Sequence, residues 1–533
     1  KISQESADAI IFRVDKDEMA YGMGVARYNI LNLFLSEGDH LRRRLLVDLQ
    51  EPTFSKSGHF KIDQTAAHFN ECQLSAFEKV SKTNDYSLIL GMPGTGKTTV
   101  IAYLIKMLVA AKKTVLLTSY TNSAVDNILL KVKEYDIDFL RIGNSSRVHL
   151  LIQEYTPGSD KNKVDCYSDF QRVYSQPFVV AATCLSVQDP AFSIRNRFDY
   201  CIIDEASQVS MPVCLGPIAL CDKFIMVGDH YQLPPLVSHP DSKIKTGLSQ
   251  SLFQILANAH PDSVAELKHQ YRMCEEIMLI SNKLVYKNRL ICGNKHVAEQ
   301  FLEVPHKEKL ALHFSGRNPM NTPWLDSAFQ EQNRVVFFDH DLLPGYERAV
   351  GENITNPAEV ELVRQTVEGL VRCGVEPTKI GVMTLYRSQL KLLHDTFRHM
   401  PELEILTADR FQGRDKDCII ISMVRSNRDR RSGDLLKDWR RINVAVTRAR
   451  SKLIVFGSVA TLSNAESVSD FVTLAKREGW VHELPETALR LYHFAKPSLT
   501  TPKRKVVANK LGSQSIGRHA LVKDLLADMN VTL

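Results

Sequence analysis

The octapeptide Gly91-Met-Pro-Gly-Thr-Gly-Lys-Thr98 constrains this chain more than any other stretch. It follows the apolar run Ser87-Leu-Ile-Leu90 and opens a helical pattern near Thr99, the strand, loop and helix order that a phosphate-binding loop requires. Gly91, Gly94 and Gly96 let backbone N–H groups turn inward around a polyphosphate, and the helix behind them presents the positive end of its dipole. In such a loop Lys97 reaches the β- and γ-phosphates and Thr98 holds Mg²⁺, with Thr95 and Thr99 in the same nucleotide-binding set.

A chain of 533 residues is too long for one hydrophobic core, and about 150 residues per unit suggests three or four. With 44% hydrophobic and 24% charged residues the composition is globular. No run of about 18 uncharged apolar residues and no secretory layout is present, so the reading is a soluble intracellular protein. The first residue is Lys, and the chain is expected to be part of a longer protein. Ten cysteines are scattered singly, with no C-x-x-C pair and no His cluster at ligand spacing. Buried thiols are expected, rather than disulfides, zinc or an iron–sulfur cluster within the chain. A net charge of +6 is mild for this length, so nucleic-acid affinity would have to come from local grooves.

Residues 1 to 60 read as two short strands, Ala9–Val14 the clearer, then helical stretches over Val25–Leu35 and Leu41–Leu49. Arg42, Arg43 and Arg44 cannot share one helical face, and a solvated surface and a nucleic-acid or bracing contact both fit them. From Phe69 onward, buried-type strands at 88–90, 114–118, 178–182, 200–203 and 224–227 alternate with amphipathic helices. A second series follows at 335–338, 380–384, 404–406, 418–422 and 452–456. Continuous apolar runs separated by helices predict two tandem α/β domains with parallel sheets. Stretches 233–250 and 315–333 read as surface excursions. Residues 496–516 read as a basic linker containing Pro502-Lys-Arg-Lys-Val506, before an amphipathic segment His519–Met529.

Tyr200-Cys-Ile-Ile-Asp-Glu-Ala-Ser207 adds the acids that turn binding into hydrolysis. Asp204 can hold Mg²⁺ through water, and Glu205 can act as general base toward the attacking water. Gly228-Asp-His-Tyr-Gln-Leu-Pro-Pro235 places Asp229 and Gln232 at the same carboxyl edge, where Gln232 can hydrogen-bond the γ-phosphate. The amide of Gln73, in Phe69-Asn-Glu-Cys-Gln73, can read an adenine edge. On the other face, Ser119, Thr121 and Asn122 in Leu117–Asp126 suit phosphate oxygens, and a plain helix N-cap fits them too. Thr183, Tyr386, Arg387 and Thr407 are further candidates for backbone contact or stacking.

In this order the elements resemble the motifs of superfamily 1 helicases, and GDxxQLPP resembles the 1B branch that includes the nonsense-decay RNA helicase. Leu267-Lys-His-Gln-Tyr-Arg-Met273 is similar to the motif with an adenine-stacking Tyr and a phosphate-contacting Arg, here Tyr271 and Arg272. Thr407-Ala-Asp-Arg-Phe-Gln-Gly-Arg-Asp415 resembles the motif linking nucleotide to nucleic acid, with Gln412 among its contacts. Arg441–Arg450 resembles the last motif, with Arg448 as arginine finger. The strings LGMPGTGKTT, LLTSYTNSAVDNIL, FIMVGDHYQLPPLV, ELKHQYRMC and RRINVAVTRARSKLI are similar to the helicase region of the eukaryotic replication nuclease-helicases, across most of residues 69–460. That family's nuclease and its four cluster-binding cysteines have no counterpart here and are expected N-terminal to Lys1.

The resemblance implies two RecA-like P-loop domains: a partial β/stalk segment at 1–60, domains at 61–262 and 263–490, and a basic linker with helical tail at 491–533. It implies an ATP- and Mg²⁺-dependent single-stranded DNA translocase moving 5′ to 3′, acting on Okazaki flaps and resected ends, with a 4Fe–4S cluster only in the upstream region. Implied partners are single-stranded or flap DNA, single-strand-binding protein and replication or repair factors, with no membrane. The implied location is nuclear, with mitochondria as a second. An RNA or RNA–DNA helicase and a non-unwinding ATP-gated clamp stay open as alternatives, though a clamp has no use for hydrolysis chemistry.

Overall fold

Most of the apolar runs form fully buried strands. In the computed structural model, the described residues are 20–494 apart from 36–39, 196, 238, 240, 316–322, 344–345, 352 and 412. Strands β1 (Tyr86–Gly91), β2 (Val115–Ser119), β3 (Phe139–Arg141), β4 (Val179–Thr183), β5 (Phe198–Asp204), β6 (Cys221–Gly228) and β7 (Val264–Leu267) make one sheet. Its order is β3-β4-β2-β5-β6-β1-β7, with every pairing parallel. Parallel neighbours need crossovers, which cover both faces and so demand apolar side chains on both. Leu88 and Leu90 accordingly enter one core with Leu116, Ile203 and Met226, while Ile89 enters another with Leu117, Ile202 and Val227.

A short pair, β8 (His269–Gln270) and β9 (Ile291–Cys292), leads to the second sheet. That sheet is built from β10 (Val335–Asp339), β13 (Ile380–Thr384), β14 (Glu404–Thr407), β15 (Lys416–Ser422), β16 (Ala449–Gly457) and β17 (Val481–Glu483). The order is β14-β13-β15-β16-β10-β17, again all parallel. An antiparallel hairpin, β11 (Arg348–Val350) with β12 (Asn353–Thr355), projects beside it. Met92, in the phosphate loop, is buried in the core beneath the second sheet, so the two halves meet at the loop.

Several expectations shift. Strands β3, β7 and β17 were not anticipated, because three or four residues carry too little periodicity. Strand β7 belongs to the first sheet, so the expected boundary between 262 and 263 falls one strand early. The stretch 315–333 is no mere surface excursion: Trp324, Leu325, Ala328 and Phe329 are buried against the second sheet. Their helical spacing was hidden among polar neighbours. The helix expected over Leu41–Leu49 runs only His40–Leu46. Two of its arginines brace their own segment: Arg43 Nη1 donates to Phe34 O at 2.9 Å and Arg44 Nε to Gln50 Oε1 at 2.7 Å. Seven of the ten free cysteines are buried and Cys166 is exposed. The Ala9–Val14 strand, the basic run at 502–506 and the His519–Met529 segment lie outside the described residues.

Candidate active site

Strand β1 delivers the loop at the sheet's carboxyl edge, and the helix Lys97–Ala110 starts on Lys97. Lys97 folds back over the loop, its Nζ donating to Gly91 O at 2.7 Å. Gly94 has φ +74°, and a Cβ there would stand 2.8 Å from the Cβ of Arg272. Only glycine supplies both that conformation and that close approach. Tyr271 N donates to Gly94 O at 2.8 Å, so the loop is tied to the segment leading into the second half. Thr95 is buried, its hydroxyl donating to Met92 O at 2.8 Å, while Thr98 and Thr99 occupy the first helical turn.

Asp204 ends β5 and Glu205 follows in a left-handed conformation, φ 51°. Burial, then the neighbouring Glu205 charge, pushes the Asp204 carboxyl up to about 7, with Lys97 pulling the other way. Its Oδ1 is buried without a hydrogen-bond partner, an arrangement that suits a cation and its water shell better than a closed polar core. Glu205 Oε2 accepts from Gln208 Nε2 at 2.8 Å.

The second half contributes cations. Arg272 Nε pairs with Asp415 Oδ2 at 2.9 Å and its Nη1 donates to Thr447 O at 3.2 Å. Arg448 is 3% exposed; its Nε donates to Val444 O at 2.9 Å and its Nη2 to Thr447 Oγ1 at 3.1 Å and Gln232 Oε1 at 3.4 Å. Burial, then repulsion from Arg272, lowers the Arg448 guanidinium to about 9, opposed by Glu205 and Asp415. Burial raises the Asp415 carboxyl, yet Arg272 and Arg450 outweigh it and hold it below the ordinary range.

Gln232 Nε2 donates to Asp229 Oδ2 at 2.7 Å, which also accepts from Tyr286 Oη at 2.7 Å. Asn443 Nδ2 donates to that Tyr286 oxygen at 3.1 Å. A buried polar chain therefore runs from Asp229 and Gln232 in the first half to Tyr286, Asn443 and Arg448 in the second. The sequence reading missed Tyr286, Asn443 and Asp415. The last two lie inside the quoted motif strings, whereas Tyr286 carries no local signal. Tyr286→Phe is expected to cost about 1–3 kcal/mol in urea unfolding, because it leaves Asn443 without that acceptor and removes one of the two side-chain donors to Asp229 Oδ2 in the interior.

The residues expected around an adenine also come together. Asn70 Nδ2 donates to Tyr271 Oη at 2.8 Å, and Asn70 and Gln73 form a capping box on the helix Glu71–Lys82. Gln73 Nε2 donates to Thr95 O at 3.2 Å, so its amide already bridges cap and phosphate loop. Tyr271 keeps 42% exposure, and its ring packs so close to Gly293 that a Cβ there would collide with it.

The nucleic-acid candidates are less uniform. Thr121 is exposed and caps the helix Asn122–Lys133, accepting from Ala124 N. Ser119 is fully buried, with its hydroxyl unpartnered, and is register neighbour to both Thr183 and Asp204. Asn122 Oδ1 accepts from the buried Arg141 at 2.7 Å, and Thr183 pairs with Ser186 at 2.7 Å. Tyr386 is buried, Arg387 exposed and Thr407 partly exposed; Gln412 lies outside the described residues. Tyr120, 46% exposed beside Thr121, is an aromatic that sequence reading passed over.

Residues 248–460 match one family described as AAA domain, and 68–176 with 159–240 match a second of the same description. The chain is 43% identical over 95% of its length to the DNA replication ATP-dependent helicase/nuclease DNA2 of Saccharomyces cerevisiae, and 39% identical over 90% to that of Homo sapiens. It spans 35% and 46% of those two proteins. An arterivirus nonstructural protein 10 helicase with DNA superposes with TM-score 0.38 at 15% identity, over 72% of this chain and 63% of that one, too loosely to align side chains. At this level of identity along nearly all of its length, the chain is homologous to one part of the DNA replication ATP-dependent helicase/nucleases.

Proposed function

We propose that this chain is an ATP-driven single-stranded DNA translocase and helicase, the motor of a replication and repair helicase/nuclease. The observation that carries it is the meeting of Arg272 and Arg448, from the second half, with the loop and acids of the first, bridged by Gln232. A site for binding alone needs no cations delivered from a separate sheet. Lys97 would hold the β- and γ-phosphates, Thr98 and Asp204 the Mg²⁺, and Gln73 with Tyr271 the adenine. Bound ATP and Mg²⁺ supply the transferable phosphoryl group and the charge that organises it. Glu205 takes the proton of the attacking water, and Arg448 and Arg272 stabilise charge on the phosphoryl oxygens.

Domains of about 61–267 and 268–490 closing on nucleotide would alternate the grip of Thr121, Arg387 and Thr407 on a strand. We propose 5′-to-3′ travel, flaps and resected ends as substrates, a single-strand-binding protein as partner and the nucleus as location, supported by the relatives' replication role. The proposed iron–sulfur cluster and nuclease are assigned to parts of the family's proteins outside this chain. No helix among the described residues is long and apolar enough to cross a membrane.

The test is ATP hydrolysis with and without single-stranded DNA or RNA, alongside Lys97→Ala. Stimulation by DNA, lost by at least about 10²-fold in the variant, is expected. Stimulation by RNA alone would favour the RNA helicase, and displacement from only 3′-tailed duplexes would refute the polarity.

A further inference from the structure

A cleft of about 670 Å³ lies between the hairpin β11–β12 and the helix Arg387–Thr396. Three cations line it, Arg348 from the hairpin and Arg387 and Lys391 from the helix, all exposed. None of the three side chains has an ion pair or hydrogen bond among the described residues. Among the described residues, three acids adjacent in sequence to lining residues are engaged elsewhere: Glu347 with Arg425 at 2.9 Å, Asp395 with Arg398 at 2.7 Å, and Glu361 with Arg364 at 2.6 Å. The ten-residue helix has Tyr386 at its N-cap with no side-chain capping bond and no acid in its first turn, so its positive end is uncompensated at the cleft. Val360 and Leu392 add apolar surface to the lining. Three unpaired cations cost mutual repulsion unless an anion arrives, and an apolar surface beside them is of no use to a bare phosphate ion.

We propose that this cleft is a nucleic-acid backbone site that extends the strand's path beyond the loop motifs. Arg348, Arg387 and Lys391 bind successive phosphates, and one unstacked base rests on Val360 and Leu392. The volume suits a unit of nucleotide size. Its position is consistent: the helix follows β13, whose last residue Thr384 is register neighbour to Thr407 of β14, so cleft and Thr407 share one sheet edge. Arg348 and Lys391 belong to none of the sequence motifs. The inference rests on the proposed motor reading.

The experiment is fluorescence anisotropy of a labelled oligothymidylate against KCl concentration, for the wild type and for Arg348→Ala/Lys391→Ala. A charge-matched control, Lys161→Ala/Lys163→Ala, removes two cations already paired with Asp138 and Asp165. Each lost phosphate contact on a single strand lowers the slope of log affinity against log salt by about 0.7. The cleft variant is expected to lose about 1.4 from the slope and the control to keep it. An unchanged slope in the cleft variant, or an equal loss in both, overturns the cleft and leaves the motor reading intact. Failure of the wild type to bind any strand overturns both.

Discussion

Arg448→Ala is expected to lower the ATP turnover number by about 10³-fold or more, with a much smaller change in KM. The physical basis is the position of the guanidinium. It is almost fully buried, anchored to Val444 O and Thr447 Oγ1 in the second half, and its free edge reaches Gln232 Oε1 of the first. Burial and the nearby Arg272 lower its proton affinity, so the charge is held there against desolvation with no carboxylate hydrogen-bonded to it among the described residues. A developing phosphoryl charge would be its natural counter-ion. Because that charge grows toward the transition state, the loss falls on turnover rather than on binding. Arg448→Lys is expected to recover little, since an ammonium cannot keep the Val444, Thr447 and Gln232 hydrogen bonds together. Single-turnover kinetics at saturating nucleotide, with and without DNA, give the answer. A loss below tenfold would leave Arg448 as a brace between the halves.

Arg448 also shows how far the sequence could be read. Its motif, and those of Lys97, Asp204, Glu205 and Gln232, stand in contiguous strings, because loops at a sheet's carboxyl edge concentrate their chemistry in a few consecutive residues. The two parallel sheets were legible for a similar reason: strands buried on both faces are unbroken apolar runs, as in Leu88–Leu90 and Ile419–Ile421. The partners that set the arginines' geometry were not legible. Tyr286 lies 57 residues from Asp229, and Asp415 lies 143 residues from Arg272. The first contact forms only when the two halves meet, and the second only when distant parts of the second half fold together. The hydroxyl and amide candidates for nucleic-acid contact were readable as residue types but not as accessible groups, since Ser119 is sealed between strands and Asn122 is held by Arg141.

Asp204→Asn is expected to abolish hydrolysis and, at the same time, to stabilise the nucleotide-free protein above pH 7. The unfolded carboxyl titrates near its ordinary value of about 3.9, whereas burial and Glu205 push the folded one up to about 7. Between those values the folded state holds a proton that the unfolded state has released, so stability falls as pH rises through this window and is lowest above it. The shift corresponds to a penalty on the order of 4 kcal/mol for the charged form. Asparagine removes the charge but leaves an amide with few partners, a cost of about 1–3 kcal/mol. A net gain of about 1–3 kcal/mol at pH 8, shrinking toward zero or reversing at pH 5, is therefore expected from urea unfolding of the two proteins. A difference between them that does not vary with pH would show that Asp204 is already ionised without strain. The expected result ties the site's chemistry to its energetics: an acid with a buried, unpartnered oxygen beside a second acid and the phosphate-loop lysine is unstable alone. The proposed ligand, a polyphosphate with its cation, would stabilise it.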